Sequence, residues 1–370
     1  MLKFILGIFV IFPFLASLSA SVHAADVSSL DEAAVSIESR ATTLRSEGIK
    51  QAFEAVILKN SGTQAALINP VVQKQLKSAS SLMTQYGYFE DAGELYLKVN
   101  FDHKRIIRLL RDAGLPVWGK QRPLTLVWLV INENGEREIL SDGAISSSRN
   151  TFDSQSTSRA VPLLFPLMDL DDSMKVGVND VRGRFTDNIA NASLRYKANY
   201  FLIATIEPQG AVYQYQMGLY PRDKDPQALQ MTSLITSSGE AATVEDAVTA
   251  IVAATSEYYV GQYAIADSGE RNTTKIAFVD VTDIKQLVAI ERFLAQLSAI
   301  KSASIASIQG QTVEFNLALF GDEADLHRLM SLDPQVGAIE SNNQQNLDYS
   351  SVEAVEAPQK ETQIYYWKGQ

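Results

Sequence analysis

The sequence predicts an α/β and α+β chain of three small modules: an N-terminal α+β domain, a central mixed-sheet α/β domain and a C-terminal ferredoxin-like βαββαβ unit. Three observations carry that expectation. Apolar residues recur at helical spacing in some stretches and at alternate positions in others, with turn residues between them. The run "PLTLVWLVIN" is apolar on both faces, as a strand covered from both sides must be. After residue 274 the pattern reads strand, helix, strand, strand, helix, strand. The expected modules are residues 25–115, 116–268 and 274–340, between a signal at 1–24 and a mostly disordered tail at 341–370.

The first module opens with a weakly alternating strand, "EAAVSIES". Residues 40–59 follow, with Ala41, Leu44, Ala52, Phe53 and Val56 on one helical face, and "NSG" closes that helix. Asn69-Pro70 supplies an N-cap and a first-turn proline for a second helix. In "ELYLKVNF", Leu95, Leu97, Val99 and Phe101 alternate with polar residues, a half-buried strand. Asp102 caps a third helix and Gly114 ends it.

In the second module the apolar strand precedes a helical stretch near 151–160. A strand is expected at "LLFPLM", a helix over 184–197, and strands at "YFLIATIE", "AVYQYQMGLY" and "LQMTSLIT". An Ala-rich helix over 243–264 closes the module. The polar stretch "DSGERNTT" separates the third module. The tail is rich in Asn, Gln, Ser and Glu up to residue 359, and "QIYYWKG" after it is apolar enough to dock. There is no internal repeat.

The first 24 residues read as an export signal. Lys3 precedes an uncharged apolar run from Phe4 to Leu18, and Val22 and Ala24 stand at the −3 and −1 positions for cleavage before Ala25. The run is short for a spanning helix, which needs roughly 20 residues. The expected location is the periplasm, with no integral membrane segment after signal removal.

The chain carries a formal net charge of −11, and loss of Lys3 makes the mature chain one unit more negative. Such a chain repels nucleic acid and anionic lipid, so neither is expected as principal partner. Cysteine is absent, which excludes disulfides, thiolate metal sites and Cys nucleophiles.

One stretch invites chemistry. "LLFPLMDLDDS" delivers Asp169, Asp171 and Asp172 at the end of an apolar run, as metal-dependent phosphoryl-transfer enzymes present Asp-x-Asp. Asp280 and Asp283 in "VDVTD" and a serine of "LITSSG" would complete a phosphatase-like set. Against it, Pro166 lies inside the strand that would have to be central. Read as a calcium loop from Asp169 to Asp180, the stretch has Met174 where the tight turn needs Gly. The plainer explanation is an acidic strand-to-helix junction with carboxylates near helix amides. Asp169, Asp171 and Asp172 remain the only weak metal candidates.

"GLPVWGKQ" (Gly114 to Gln121) has the spacing of a phosphate-binding loop, but it follows a helix and precedes a strand, the reverse of what that loop requires. The mature chain's two histidines, His103 and His327, lie on charged helical segments and are expected at the surface. No Gly-x-Ser-x-Gly elbow exists. The basic concentration Lys104, Arg105, Arg108, Arg111, Lys120 and Arg122, with Trp118 among them, is either a solvated face or a docking patch.

Several segments in order resemble a family of exported gammaproteobacterial proteins catalogued as domain of unknown function 2066. They are "AVILKNSG", "YLKVNFD", "LRDAGLPVWGKQRPLTLVWL", "PLLFPLMDLDD", "DVRGRF" and "ASLRYKANYFLIATI", over about residues 40–265. The family pattern has Arg-Gly where this chain has Arg159-Ala160. The resemblance implies export and this domain order, and implies no activity. It also makes the acidic run a signature of the fold. More distantly, the second module resembles α/β modules of envelope-assembly proteins, an analogy that does not fix function.

The resulting expectation is a non-enzymatic exported binding or envelope-assembly module without cofactor, whose partner is an envelope protein or cell-wall component. The alternative is a metal-dependent phosphotransferase or hydrolase using the acidic run.

Overall fold

The computed structural model describes residues 29–91, 93–133, 135–223, 231–339 and 362–369. The segment expected to be a signal and most of the expected tail lie outside the described residues.

The N-terminal block comprises β1 (Glu32–Ser36), α1 (Thr42–Ser61), α2 (Pro70–Leu76), β2 (Met83–Asp91), β3 (Glu94–Phe101) and α3 (His103–Asp112). Its antiparallel sheet has the order β1-β3-β2. The alternation in "ELYLKVNF" puts Leu97, Val99 and Phe101 inward, where Ala52, Phe53, Val56 and Ile57 of α1 cover them. Phe53 meets Phe101 edge to face at 5.8 Å. As the sequence predicts, Asn69 caps α2 and Asp102 caps α3, the latter accepting the Arg105 N–H at 3.1 Å. Strand β2 was not anticipated. It is an edge strand exposed along most of its length, so it lacks an apolar alternation.

The central block comprises β4 (Thr125–Glu133), β5 (Glu136–Ile139), α4 (Ser147–Arg159), β6 (Leu163–Leu164), α5 (Leu170–Lys175), α6 (Val178–Gly183), α7 (Thr186–Ser193), β7 (Tyr200–Gln209), β8 (Val212–Pro221), β9 (Ile235–Ala241) and α8 (Val244–Tyr263). The sheet order is β5-β4-β7-β8-β9, with β6 paired to the start of β4. Strands β4 and β7 are parallel, while β5, β8 and β9 run antiparallel to their neighbours. Strand β4 is covered on both faces, which explains its unbroken apolar run. Val127, Leu129 and Ile131 join the apolar cluster that holds the α4 and α8 residues Phe152, Val248 and Val252. Leu126, Trp128 and Val130 join the one that holds Val176, Val181 and Ile189.

Three expectations for this block need correction. "LLFPLM" forms only a two-residue strand, because Pro166 lacks the N–H that would continue the ladder. The helix expected over 184–197 starts two residues late and tightens early: Arg184 takes a left-handed conformation (φ 53°) that ends α6, α7 runs Thr186–Ser193, and a 3-10 turn follows at Leu194–Tyr196. The strand expected at "LQMTSLIT" begins only at Ile235, and residues 224–230 lie outside the described residues.

The C-terminal block comprises β10 (Asn272–Val279), α9 (Ile284–Gln296), β11 (Ile300–Gln309), β12 (Thr312–Leu319), α10 (Glu323–Met330), β13 (Val336–Ile339) and β14 (Gln363–Trp367). The expected βαββαβ order is present, with one addition. The sheet runs β11-β12-β10-β14-β13, so β14 separates β10 from β13, parallel to the first and antiparallel to the second. The stretch "QIYYWKG", assigned by the sequence to the tail, is therefore an interior strand. Its Tyr365 is 4% exposed, and Trp367 packs on Phe293.

The N-terminal block has its own core. A second apolar cluster runs from the α8 side of the central sheet into the C-terminal sheet, uniting Ile251 and Tyr259 with Phe278 and Phe315. Gly62 lets the end of α1 approach α8. It sits at φ 71°, and a Cβ there would lie 2.1 Å from Val260 Cγ2. Among the described residues no helix is long and apolar enough to cross a membrane.

Candidate functional site

The acidic run folds into a clamp around one guanidinium. Past β6 the chain turns, and Met168 takes a left-handed conformation (φ 52°). Asp169 caps α5, its Oδ1 accepting the Asp172 N–H at 3.0 Å. Arg195 then reaches back from the turn after α7 and grips Asp169 with two parallel bonds. Its Nη1 lies 2.8 Å from Oδ1 and its Nη2 2.8 Å from Oδ2. The same Nη1 lies 3.3 Å from Asp171 and 3.1 Å from Asp172.

Asp172 is fully buried and fully engaged. Its Oδ2 accepts the Met168 N–H at 3.0 Å and the Tyr196 hydroxyl, and its Oδ1 accepts from Arg195. The Tyr196 oxygen in turn accepts the Leu167 N–H at 2.8 Å. Asp171 pairs with Lys175 at 3.0 Å. Hydrogen bonds from Arg195 hold the Asp169 carboxyl well below the usual carboxylate range. Burial, then the bond to Asp172, pushes the Tyr196 hydroxyl well above the usual phenol range.

The three carboxylates thus converge on Arg195 rather than on open space. Among the described residues no group of three or more His, Cys, Asp or Glu is arranged to hold a metal ion. Asp280 and Asp283 lie past the end of β10 in another sheet, where Asp283 caps α9. They are not part of this junction. Arg195 and Tyr196 are the residues that sequence reasoning missed. They lie within a segment quoted for the family resemblance, but no local pattern joins them to carboxylates more than twenty positions earlier.

The basic concentration is split by the fold. Lys104, Arg105 and Arg108 form an exposed face of α3, and Lys120 is half-buried. Arg111, Trp118 and Arg122 do not belong to any docking patch, because they are tied into the joints between blocks. Arg122 is 4% exposed and Trp118 fully buried. Arg122 donates to the carbonyls of Lys59 (2.7 Å), Trp118 (3.0 Å), Gly119 (3.0 Å) and Ala160 (3.1 Å), and its guanidinium stacks 3.7 Å over Trp118. This one side chain gathers the N-terminal block, the linker and the central block.

Arg111 does the same for the other joint. It donates to the carbonyls of Ile265 (2.6 Å) and Ser298 (2.7 Å) and stacks 4.0 Å over Phe320. Burial brings its guanidinium down to about 10, which leaves it charged at neutral pH.

The linker Gly114 to Gln121 joins α3 to β4. Val117 is bridged to Ile265, and the Trp118 N–H bonds the Asn60 carbonyl at 2.8 Å, so no phosphate-cradling loop forms. The histidines expected at the surface are both half-buried, and His327 bonds the Tyr365 hydroxyl of β14.

Comparison with known proteins gives two family matches. Residues 24–119 match DUF8605, described as a domain of unknown function. Residues 273–367 match DUF2066 and support assignment of the chain to that family. The match spans β10 to the end of β14, so the interior C-terminal strand belongs to the matched unit. It lies beyond the segments at 40–265 on which the sequence resemblance rests. No curated protein matches the chain.

Among solved structures, the LpoB C-terminal domain from Salmonella enterica is similar at 13% identity, covering 33% of this chain and 83% of that one, with a TM-score of 0.20. A formyltetrahydrofolate deformylase from Pseudomonas putida KT2440 is similar at 12% identity, covering 55% and 91%, with a TM-score of 0.15.

Proposed function

We propose that this DUF2066-family chain is an exported, periplasmic, non-enzymatic module that binds an envelope protein or cell-wall component. One observation carries the reading. The charged clusters that would supply catalysis are consumed internally, the carboxylates by Arg195 and the buried arginines by backbone carbonyls. What the exterior offers in their place is a basic face on α3, made of Lys104, Arg105 and Arg108, on an otherwise acidic chain. Such a face favours an acidic or anionic partner. The sequence features of residues 1–24 support export.

The test is a photo-crosslinking residue placed at position 108 in the full-length exported chain. The reading expects one defined envelope component to be captured, and capture to fall at least tenfold when Lys104 and Arg105 are changed to Glu. No capture from any exposed position of α3, or capture indifferent to charge reversal, would contradict it.

A further inference from the structure

We propose that a polar groove between α6 and the β7–β8 hairpin is a binding site for a small, hydrophilic ligand bearing a carboxylate or phosphate, a site separate from the α3 face. The inference rests on the reading of the chain as a binding module and names a second site on it.

Its place in the fold is the first support. Thr205 and Glu207 of β7 pair opposite Gln216 and Gln214 of β8. With Asn179, Arg182 and Gly183 of α6 these residues line a groove of about 380 Å³.

Its lining is the second support. The groove is walled by the hydroxyl of Thr205, the amides of Asn179, Gln214 and Gln216, and the charged groups of Arg182 and Glu207. These groups recognise a hydrogen-bonding ligand, not an apolar one.

The arrangement of the arginines is the third support, and it sets the sign of the ligand. Arg182 and Arg137 both lean on one oxygen of Glu207 through Nε, at 2.7 and 3.3 Å. Glu207 thereby orients both guanidiniums, and their terminal nitrogens have no carboxylate partner among the described residues. Arg184 adds a third guanidinium, its Nη2 donating to Gln216 Oε1 at 3.0 Å. Oriented forks with free ends are suited to carboxylate and phosphate.

Arg184 also occupies a left-handed position, φ 53°, that glycine adopts far more readily.

The test uses the full mature chain at low ionic strength, titrated separately with inorganic phosphate and with glucuronate while backbone amide resonances are followed. The expected result is saturable shifts around Arg182, Arg184, Thr205 and Gln216 with at least one probe. Phosphate alone would assign a phosphate-bearing ligand, and glucuronate alone a carboxylated sugar. Arg184→Gly keeps the backbone in a conformation glycine favours and removes the guanidinium, so the variant should fold and bind at least tenfold more weakly. Arg182→Gln should do likewise. Absence of shifts with both probes, or binding unchanged in both folded variants, would overturn the proposal. Failure of crosslinking at position 108 would bear on the α3 face alone, because no groove residue lies on α3.

Discussion

Arg195 holds Asp169 through two parallel hydrogen bonds of 2.8 Å and, with the same guanidinium, reaches the buried carboxylate of Asp172 at 3.1 Å. This one arginine turns an acidic run that resembles a metal site into a structural junction. The arrangement also decides how the junction responds to pH and to substitution.

The Asp169 carboxyl is held below its ordinary value, so its contribution to stability has a definite sign. That contribution is complete above the ordinary carboxylate pKa of about 3.9 and is lost as pH falls through the lowered value. Urea unfolding of the parent and of Arg195→Gln should therefore differ by a constant amount from pH 7 to about pH 5. The gap should narrow below about pH 4. A gap that widens on acidification would contradict the ion pairing.

Trp118 is expected to be structural. It is fully buried and lies beneath the Arg122 guanidinium, so Trp118→Ala removes both a core side chain and the surface on which Arg122 stacks. Large aromatic truncations of this kind cost about 3–5 kcal/mol. Denaturant titration should show a loss of that size. A variant of parental stability would mean that the indole is displayed rather than packed.

Ala160 takes a left-handed conformation (φ 52°) at the end of α4. A Cβ in that conformation costs roughly 1–2 kcal/mol, while the buried methyl it supplies returns about 0.8 kcal/mol. Glycine also loses more backbone freedom on folding, by about 0.5–1 kcal/mol. These effects nearly cancel, so Ala160→Gly should lie within about 1 kcal/mol of the parent. Ala160→Val adds a branched side chain to the same conformation and should cost about 2 kcal/mol or more. Thermal unfolding of the two variants checks the ordering.

Much of the fold was legible because burial leaves a period in the sequence. Strand β4 announced itself by being apolar on both faces, and α2 and α3 by the side-chain caps Asn69 and Asp102. Strand β2 left no such mark, since exposure removes the pressure to alternate. The slot taken by β14 was hidden for another reason. An apolar "QIYYW" predicts docking, but not that β10 and β13 would be parted to receive it. The site was less legible than the fold. Asp169 is joined to Arg195, and Arg122 to Lys59 and Ala160, across more than twenty intervening positions, and no local spacing encodes such partners. Composition read the basic cluster as surface, whereas Arg111 and Arg122 fasten the blocks together.

The polar stretch before β10 should be cut by trypsin at Arg271, which is exposed and follows Gly269 at φ 71°. The fragments should nevertheless remain together, because Tyr259 shares an apolar cluster with Phe278 and Phe315, and Arg111 holds the Ser298 carbonyl. Native size-exclusion chromatography of the nicked chain should give one peak. Two separated peaks would show that the C-terminal block stands apart.

The central claim is that the carboxylates of Asp169, Asp171 and Asp172 serve Arg195 and not a metal-dependent reaction, and isothermal calorimetry tests it most directly. Mg²⁺, Mn²⁺ and Ca²⁺ titrated into the purified chain should give no saturable heat, and Asp171→Asn should behave like the parent. Stoichiometric binding of any of the three ions that disappears in Asp171→Asn would contradict the account.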